Sequence, residues 1–378
     1  MDTLCFSHLR WDFVYQRPQH LLKRFSQTGR VFYIEEAFDT HASSYYEIHH
    51  DKEHPNLWIV HLYVSPGETM QKNAQLQTLL CLLLEAFHVS DFISWYYTPM
   101  ALAYTKRLIP KLIVYDCMDE LSAFKFAPAE LRELEKKLFE KADIVFVGGA
   151  SLYQAKKRCH PNVYLFPSSI DKTHFEKARI PQDEPADQAP IPHPRFGFYG
   201  VLDERLHISL IAEAAALRPD WQFILIGPVV KIDPGLLPAK DNIHYPGKKN
   251  YGDLPAYLAG WDVAILPFAL NESTRFISPT KTPEYLAGGV PVISTSIADV
   301  VDPYQKNGLV KIADTAAQFV AAGDELLKGY DKSSWLQRID RFLKDYSWDR
   351  TYFQMKNLID NALMDKHSTR LEKTIIYV

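Results

Sequence analysis

The densest set of groups able to do chemistry lies in FISPTKTPEYLAGGVPVIST, from Phe276 to Thr295. Ser278 followed by Pro279 reads as a helix start, because serine accepts from free amides and proline is preset for the first helical position. Amides near Thr280 and Lys281 would then sit at the positive end of a helix, where anions bind, and Lys281 adds a full charge in the same turn. That combination suits a diphosphate. Glu284 lies one turn further on, and an ionised carboxylate only accepts hydrogen bonds, which suits a ribose diol. Gly288, Gly289 and Pro291 end the helix and lead into a buried strand. The plain alternative is a solvated i, i+3 pair of Lys281 and Glu284 with small surface value.

A helix terminus aimed at an anion needs a sheet to aim it. The chain has 378 residues, long for one core, so two α/β domains are expected. Its 47% hydrophobic and 13% aromatic content belongs to well-packed globular proteins. The formal net charge of -4 offers no general attraction for a polyanion, which argues against nucleic acid as a partner. Cys5, Cys81, Cys117 and Cys159 are scattered, without the spacing of a zinc site, and read as reduced structural thiols. The opening MDTLCFSHLRWD lacks the basic flank and apolar stretch of a secretory signal, so export is not expected. LLCLLLEAF, from Leu79 to Phe87, is too short to span a bilayer and reads as a buried helix.

Short apolar runs alternate with segments of helical period, the pattern of βα units and parallel sheets. Strands are expected near Thr3–Ser7, Arg30–Ile34, Leu57–Tyr63, Phe92–Tyr97, Leu112–Asp116, Ile144–Val147 and Val163–Phe166, and an amphipathic helix from Pro128 to Lys141. A proline- and charge-rich stretch from Asp171 to Pro194 reads as a linker. Beyond it come strands near Arg195–Tyr199, Gln222–Ile226, Asn242–Tyr245, Asp262–Leu266, Val290–Thr295 and Leu309–Ile312. The resulting division is a first domain over 1–172, a linker over 173–194, a second domain over 195–346 and a crossover helix and tail over 347–378.

The order Ser-Pro-Thr-Lys, Glu284, then Tyr-Leu-Ala-Gly-Gly-Val-Pro-Val-Ile-Ser resembles the donor-binding signature of GT-B glycosyltransferases, especially the retaining group classified as family 4. The resemblance implies two Rossmann-like domains facing across a cleft, with a C-terminal helix crossing back to the first domain. It makes Glu284 the ribose ligand. The family's first glutamate of this signature falls on Phe276, so backbone amides around Ile277 to Thr280 take its place. FGFYGVLDERLHISLI, from Phe196, resembles the first strand and glycine turn of the nucleotide domain, where Gly200 permits close approach. The family's arginine and lysine after this glycine are Val201 and Leu206 here; Arg205, with Arg275 as a second candidate, becomes the phosphate ligand. Gly227, Gly247 and Lys248 fall where the family frames the base.

The resemblance gives the first domain the acceptor. HLRWDFVYQRPQHLLKRF follows the first strand, so His8, Trp11, Gln16, Arg17, Gln19 and His20 stand at a strand's carboxyl end, the ligand edge of such sheets. Asp116 and Asp119, after the fifth strand, are candidates to orient an acceptor hydroxyl or act as base. WYYTPM, from Trp95, offers aromatic platforms for sugar faces, with core packing as the alternative. PSSID, from Pro167, resembles the family's interdomain Pro-Asn-Gly-Val-Asp, with Ser168 and Ser169 replacing Asn-Gly.

The expected reaction moves a sugar from a nucleotide diphosphate, UDP among the candidates, to a hydroxyl of a glycan or lipid-linked acceptor. The resemblance adds retention and polysaccharide or glycoconjugate synthesis of a bacterial type. No DxD triplet occurs, so no metal and no cofactor are expected, and Lys281, Arg205 and the helix dipole meet the leaving charge. The alternatives are a nucleotide-sugar 2-epimerase and a non-catalytic two-lobed binding protein. The expected location is the cytoplasm, with peripheral association at the membrane's inner face left open.

Overall fold

The computed structural model describes residues 1–329 and 331–375, with side chains through 368. The first sheet contains β1 (Asp2–Ser7), β2 (Val31–Glu35), β3 (Phe38–Asp39), β4 (Tyr45–His50), β5 (Leu57–Val64), β6 (Phe92–Tyr96), β7 (Leu112–Cys117), β8 (Ile144–Val147) and β9 (Val163–Leu165). It runs β3-β5-β2-β1-β6-β7-β8-β9, with β4 antiparallel on β5 and every other pairing parallel. The second sheet holds β10 (Arg195–Tyr199), β11 (Gln222–Ile226), β12 (Ile243–Gly247), β13 (Val263–Leu266), β14 (Val292–Ser294) and β15 (Val310–Ile312), in the order β12-β11-β10-β13-β14-β15. Both sheets reverse direction of winding beside their first strand, the Rossmann arrangement, which opens a crevice at the strands' carboxyl ends.

Continuous apolar runs such as FISWY of β6 and VFYIE of β2 are buried throughout because helices cover both faces of a parallel sheet. β4 was not expected: YYEIHH is mostly polar and exposed, since this edge strand buries little of itself. The run from Leu79 lies in α2 (Thr69–Ala86), after α1 (Arg17–Phe25), but only half of it is covered; Leu79, Leu80 and Leu83 are buried while Cys81 and Leu82 face out. All four cysteines are free, and Cys159 is exposed like Cys81, so only Cys5 and Cys117 serve as buried packing. The next helix, α3 (Leu131–Lys141), begins later than the sequence suggests, with Pro128 in the preceding turn, its carbonyl accepting from the Leu131 amide at 3.1 Å.

After α4 (Ala150–Lys156) and β9, the chain enters α5 (Lys172–Glu176), capped by the Asp171 side chain. The stretch through Pro194 is bound to the second domain. Phe175 is fully buried in the second core, and the Gln188 side chain donates to the Tyr257 carbonyl and accepts from the Trp261 indole. The C-terminal helix, Trp348–Ile375, crosses to the first domain, where Trp348, Tyr352, Met355 and Ile359 join Leu21, Phe25 and Trp95 in one core. The last expected residues of that segment, 376–378, lie outside the described residues.

Two further contacts hold the lobes face to face. The Asp299 carboxylate of the second lobe accepts from the Ala150 and Ser151 amides at 2.8 and 2.9 Å, capping α4 of the first. Tyr15 stacks on Tyr251 at 4.3 Å, and Tyr251 on His174 at 4.4 Å.

Candidate active site

The second domain's wall of the cleft forms at its switch point. Gly200 follows β10 with φ +153°, and a Cβ there would lie 2.4 Å from the Lys281 side chain. Gly227 follows β11 with φ +150°, and a Cβ there would lie 1.7 Å from the Gly200 carbonyl oxygen. Only glycine satisfies both constraints, so the two loops press together and leave the Lys281 ammonium beside the backbone at Gly200.

The helix that supplies Lys281 runs from Lys281 to Ala287, with Thr280 at its cap position in helical conformation. Ser278 therefore does not cap it, because Pro279 and Thr280 first make a turn whose Pro279 carbonyl accepts from Thr282. The Thr280 and Lys281 amides have no hydrogen-bond partner among the described residues. Gly288 and Gly289 end the helix, Gly289 at φ +77°.

A cavity of about 300 Å³ opens beside these groups, lined from the second domain by Gly200, Gly227, Lys248, Tyr251, Lys281 and Glu284. Burial pushes the Glu284 carboxyl up to about 7 against the pull of Lys281 and of the Tyr199 hydroxyl, which donates to it at 2.8 Å. Burial likewise lowers the Lys281 ammonium, which Glu284 partly offsets. These charged groups are thus desolvated, a state that a ligand of opposite charge or matched hydroxyls relieves. Gly247 has φ +76° and open space beside its Cα, while the Lys248 ammonium reaches across the cleft to the Asp12 carbonyl at 2.9 Å.

A smaller cavity of about 130 Å³ shares Gly200, Thr280 and Lys281 and extends to Gln16, Arg17, Asp119, Ser168, Arg205, Ser278 and Pro279. Burial pushes the Asp119 carboxyl up to about 6, and Arg205, Arg17 and Lys281 hold it down from going further. Arg205 is not a loose cation. Asp203 accepts from its guanidinium at 2.6–3.1 Å, and Phe124 from the first lobe lies 5.3 Å from its centre.

Several first-domain candidates have other work. Asp116 is fully buried with both oxygens taken by the Arg17 guanidinium at 2.9–3.1 Å, so it is not available as base or acceptor ligand. Arg17 touches the smaller cavity but spends its guanidinium on Asp116 and the Phe166 carbonyl. His20 stacks on Trp348 at 4.6 Å and packs edge-on against Tyr15 and Tyr251, so it is buried behind the tyrosine pair and lines neither cavity. Gln19 donates to the Trp11 and Val14 carbonyls and accepts from the Gln16 amide, so it shapes the loop lining the larger cavity. Trp11 lines that cavity, packs on Tyr33, and donates its amide to Glu35 at 2.7 Å. His8 lines neither cavity; burial and then Lys231 lower its ring to about 4, keeping it neutral. Trp95, Tyr96 and Tyr97 are core residues, not sugar platforms.

Arg275 is also misplaced by the sequence reading. It is exposed, 3.8 Å from Glu272, and lines neither cavity. Phe276, where the signature has a carboxylate, instead packs against the first domain's core. Among the residues missed are Asp12, Val14, Tyr15, Tyr199 and Tyr251, all on the larger cavity. Tyr15 and Tyr251 sit one in each lobe, and nothing in the local sequence of either announces its partner.

Two Rossmann-like domains, a cleft at both switch points and a crossover helix define a GT-B fold. Residues 193–329 match the family described as Glycosyl transferases group 1, and the second domain is such a domain. Over 164 residues, 42% of this chain, the sequence is 24% identical to the putative teichuronic acid biosynthesis glycosyltransferase TuaH of Bacillus subtilis. The matched stretch spans 41% of that relative's length. Sucrose-phosphate synthase from Thermosynechococcus elongatus superposes with a TM-score of 0.70 at 15% identity, covering 96% of this chain and 99% of that one. HepE of Anabaena, in complex with UDP and glucose, superposes with a TM-score of 0.68 at 14% identity, covering 95% and 99%. No described helix is long and apolar enough to cross a membrane.

Proposed function

We propose that the protein is a glycosyltransferase that takes a sugar from a nucleotide diphosphate, with UDP the first candidate, and gives it to an acceptor hydroxyl. The observation carrying this reading is the placement of Lys281, Glu284 and Gly200 on one cavity at the switch point of a glycosyl transferases group 1 domain. Glu284 accepts from the ribose hydroxyls, Gly227 and Gly247 lie beside the base, and Lys281 with the Thr280 and Lys281 amides meets the diphosphate. Arg205, steadied by Asp203, completes the positive side. As the bond to the sugar breaks, these fixed charges stabilise the departing diphosphate without reorganising.

The acceptor enters through the smaller cavity, where Asp119 orients its hydroxyl and takes up the proton. Attack and departure occur on the same face, so configuration is retained, and the chain's cations serve where a divalent ion would. UDP is favoured because HepE was solved with UDP and glucose. A glycan acceptor in polysaccharide synthesis is supported by the likeness to the teichuronic acid biosynthesis glycosyltransferase TuaH, and a cytoplasmic location is part of the same proposal. The comparisons favour neither the epimerase nor the binding-protein alternative.

The test is a thermal-shift screen across UDP-, GDP-, dTDP- and ADP-sugars, followed by product analysis in the presence of a chelator. A donor that raises the melting point and is then consumed only with acceptor supports transfer. Interconversion of the donor without acceptor would replace the reading with epimerisation, and binding without turnover would leave a binding protein.

A further inference from the structure

Away from the cleft, the first sheet brings two imidazoles and a carboxylate together on its outer edge. The ladder places Glu47 of β4 directly opposite His61 of β5. His49 is two residues beyond Glu47 and so projects from the same face of its strand. One donor atom of each lies within 4.8 Å of the other two, and the two rings are 5.3 Å apart. Strand register, not a chance meeting of flexible side chains, sets this convergence.

We propose that Glu47, His49 and His61 form a binding site for a divalent transition ion of the zinc class. The donor set is two nitrogens and one oxygen, which suits zinc, nickel or copper, whereas calcium and magnesium need more oxygens. Three protein ligands leave a fourth position for water or for a ligand from elsewhere.

The surroundings are those of a held site. Glu35 lies 3.4 Å from the His61 ring nitrogen Nε2, and a carboxylate behind a ligating histidine fixes its orientation and tautomer. Glu35 is itself buried and anchored, since it accepts from the Trp11 amide at 2.7 Å and from Arg10 at 3.2 Å. Phe38 packs beside His61 with centroids 5.4 Å apart, and the Tyr63 hydroxyl donates to Glu47 at 3.1 Å. His49 projects to solvent, with 59% of its side chain exposed, which gives an ion its entry path.

Calorimetric titration of the full chain with zinc chloride tests this, beside His49→Ala, Glu47→Gln and a magnesium control. The expected result is one zinc per chain, no magnesium heat, and binding weakened by at least about tenfold in each variant. Because His49 is exposed, His49→Ala folds, which its melting curve without metal checks. Absence of zinc binding by the wild type, or zinc binding equal to wild type in both variants, overturns the proposal. Neither outcome bears on the donor cleft, which these three residues do not line.

Discussion

The two lobes share the central strand order around their switch points and present the same edge to the cleft, yet they use polar side chains in opposite ways. On the first lobe, Arg17 is spent on Asp116, Gln19 on the Trp11 and Val14 carbonyls, Glu35 on the Trp11 amide, and His20 on Trp348. These groups build a loop. On the second lobe, Lys281 and Glu284 stand desolvated on a cavity, and the amides beside them are unpaired. Charge at a strand end therefore marks a ligand wall where, as with Lys281 and Glu284, it faces a cavity instead of being enclosed by the loop it builds.

Breaking the inward-directed set should cost stability most. Asp116→Ala leaves Arg17 buried and unpaired, and should lower unfolding stability by about 3–5 kcal/mol in a denaturant titration. A small loss there would mean that Arg17 turns to the cleft and that the contrast is weaker than drawn. On the other wall, Lys281→Ala should leave the melting point near normal and cut turnover with a verified donor by about 10²-fold or more. Near-normal turnover removes Lys281 from the reaction.

Glu284→Gln should weaken nucleotide-sugar binding by about 1–3 kcal/mol in calorimetry, because the hydrogen-bonded charge is gone. It should also alter the pH profile of stability. The Glu284 carboxyl stands at about 7 in the folded chain against an ordinary 4.5, so the folded state holds its proton more tightly than the unfolded one. Its contribution is full below the ordinary value and is lost as pH rises through about 7. The Gln variant should flatten that decline in melting curves taken between about pH 5 and about pH 8; an unchanged slope would assign the decline to other groups. The smallest effect belongs to Arg275→Ala, expected within about 0.5 kcal/mol of wild type in stability and unchanged in turnover. A marked loss of activity would place Arg275 on the ligand after all.

Strand positions were legible because buried parallel strands are unbroken apolar runs. β4, of which only Tyr46 and Ile48 pack against the core, carries no such signal, and its chemistry appeared only when register set Glu47 beside His61. At the cleft, Gly200, Lys281 and Glu284 could be read because glycine turns and helix starts are local features. Asp116 and His20 looked equally functional by position, but their partners, Arg17 and Trp348, lie 99 and 328 residues away in sequence. The Tyr15–Tyr251 stack was hidden for the same reason. Ser278 misled because a serine-proline pair marks a helix start, and here a turn intervenes.

The Asp299 carboxylate gives the molecule a latch. Parting the lobes strips the start of α4 of the carboxylate that accepts from two of its amides, a loss of about 0.5–2 kcal/mol unless water replaces it. Opening is therefore biased against at rest, and any motion that parts the lobes must first release this clasp.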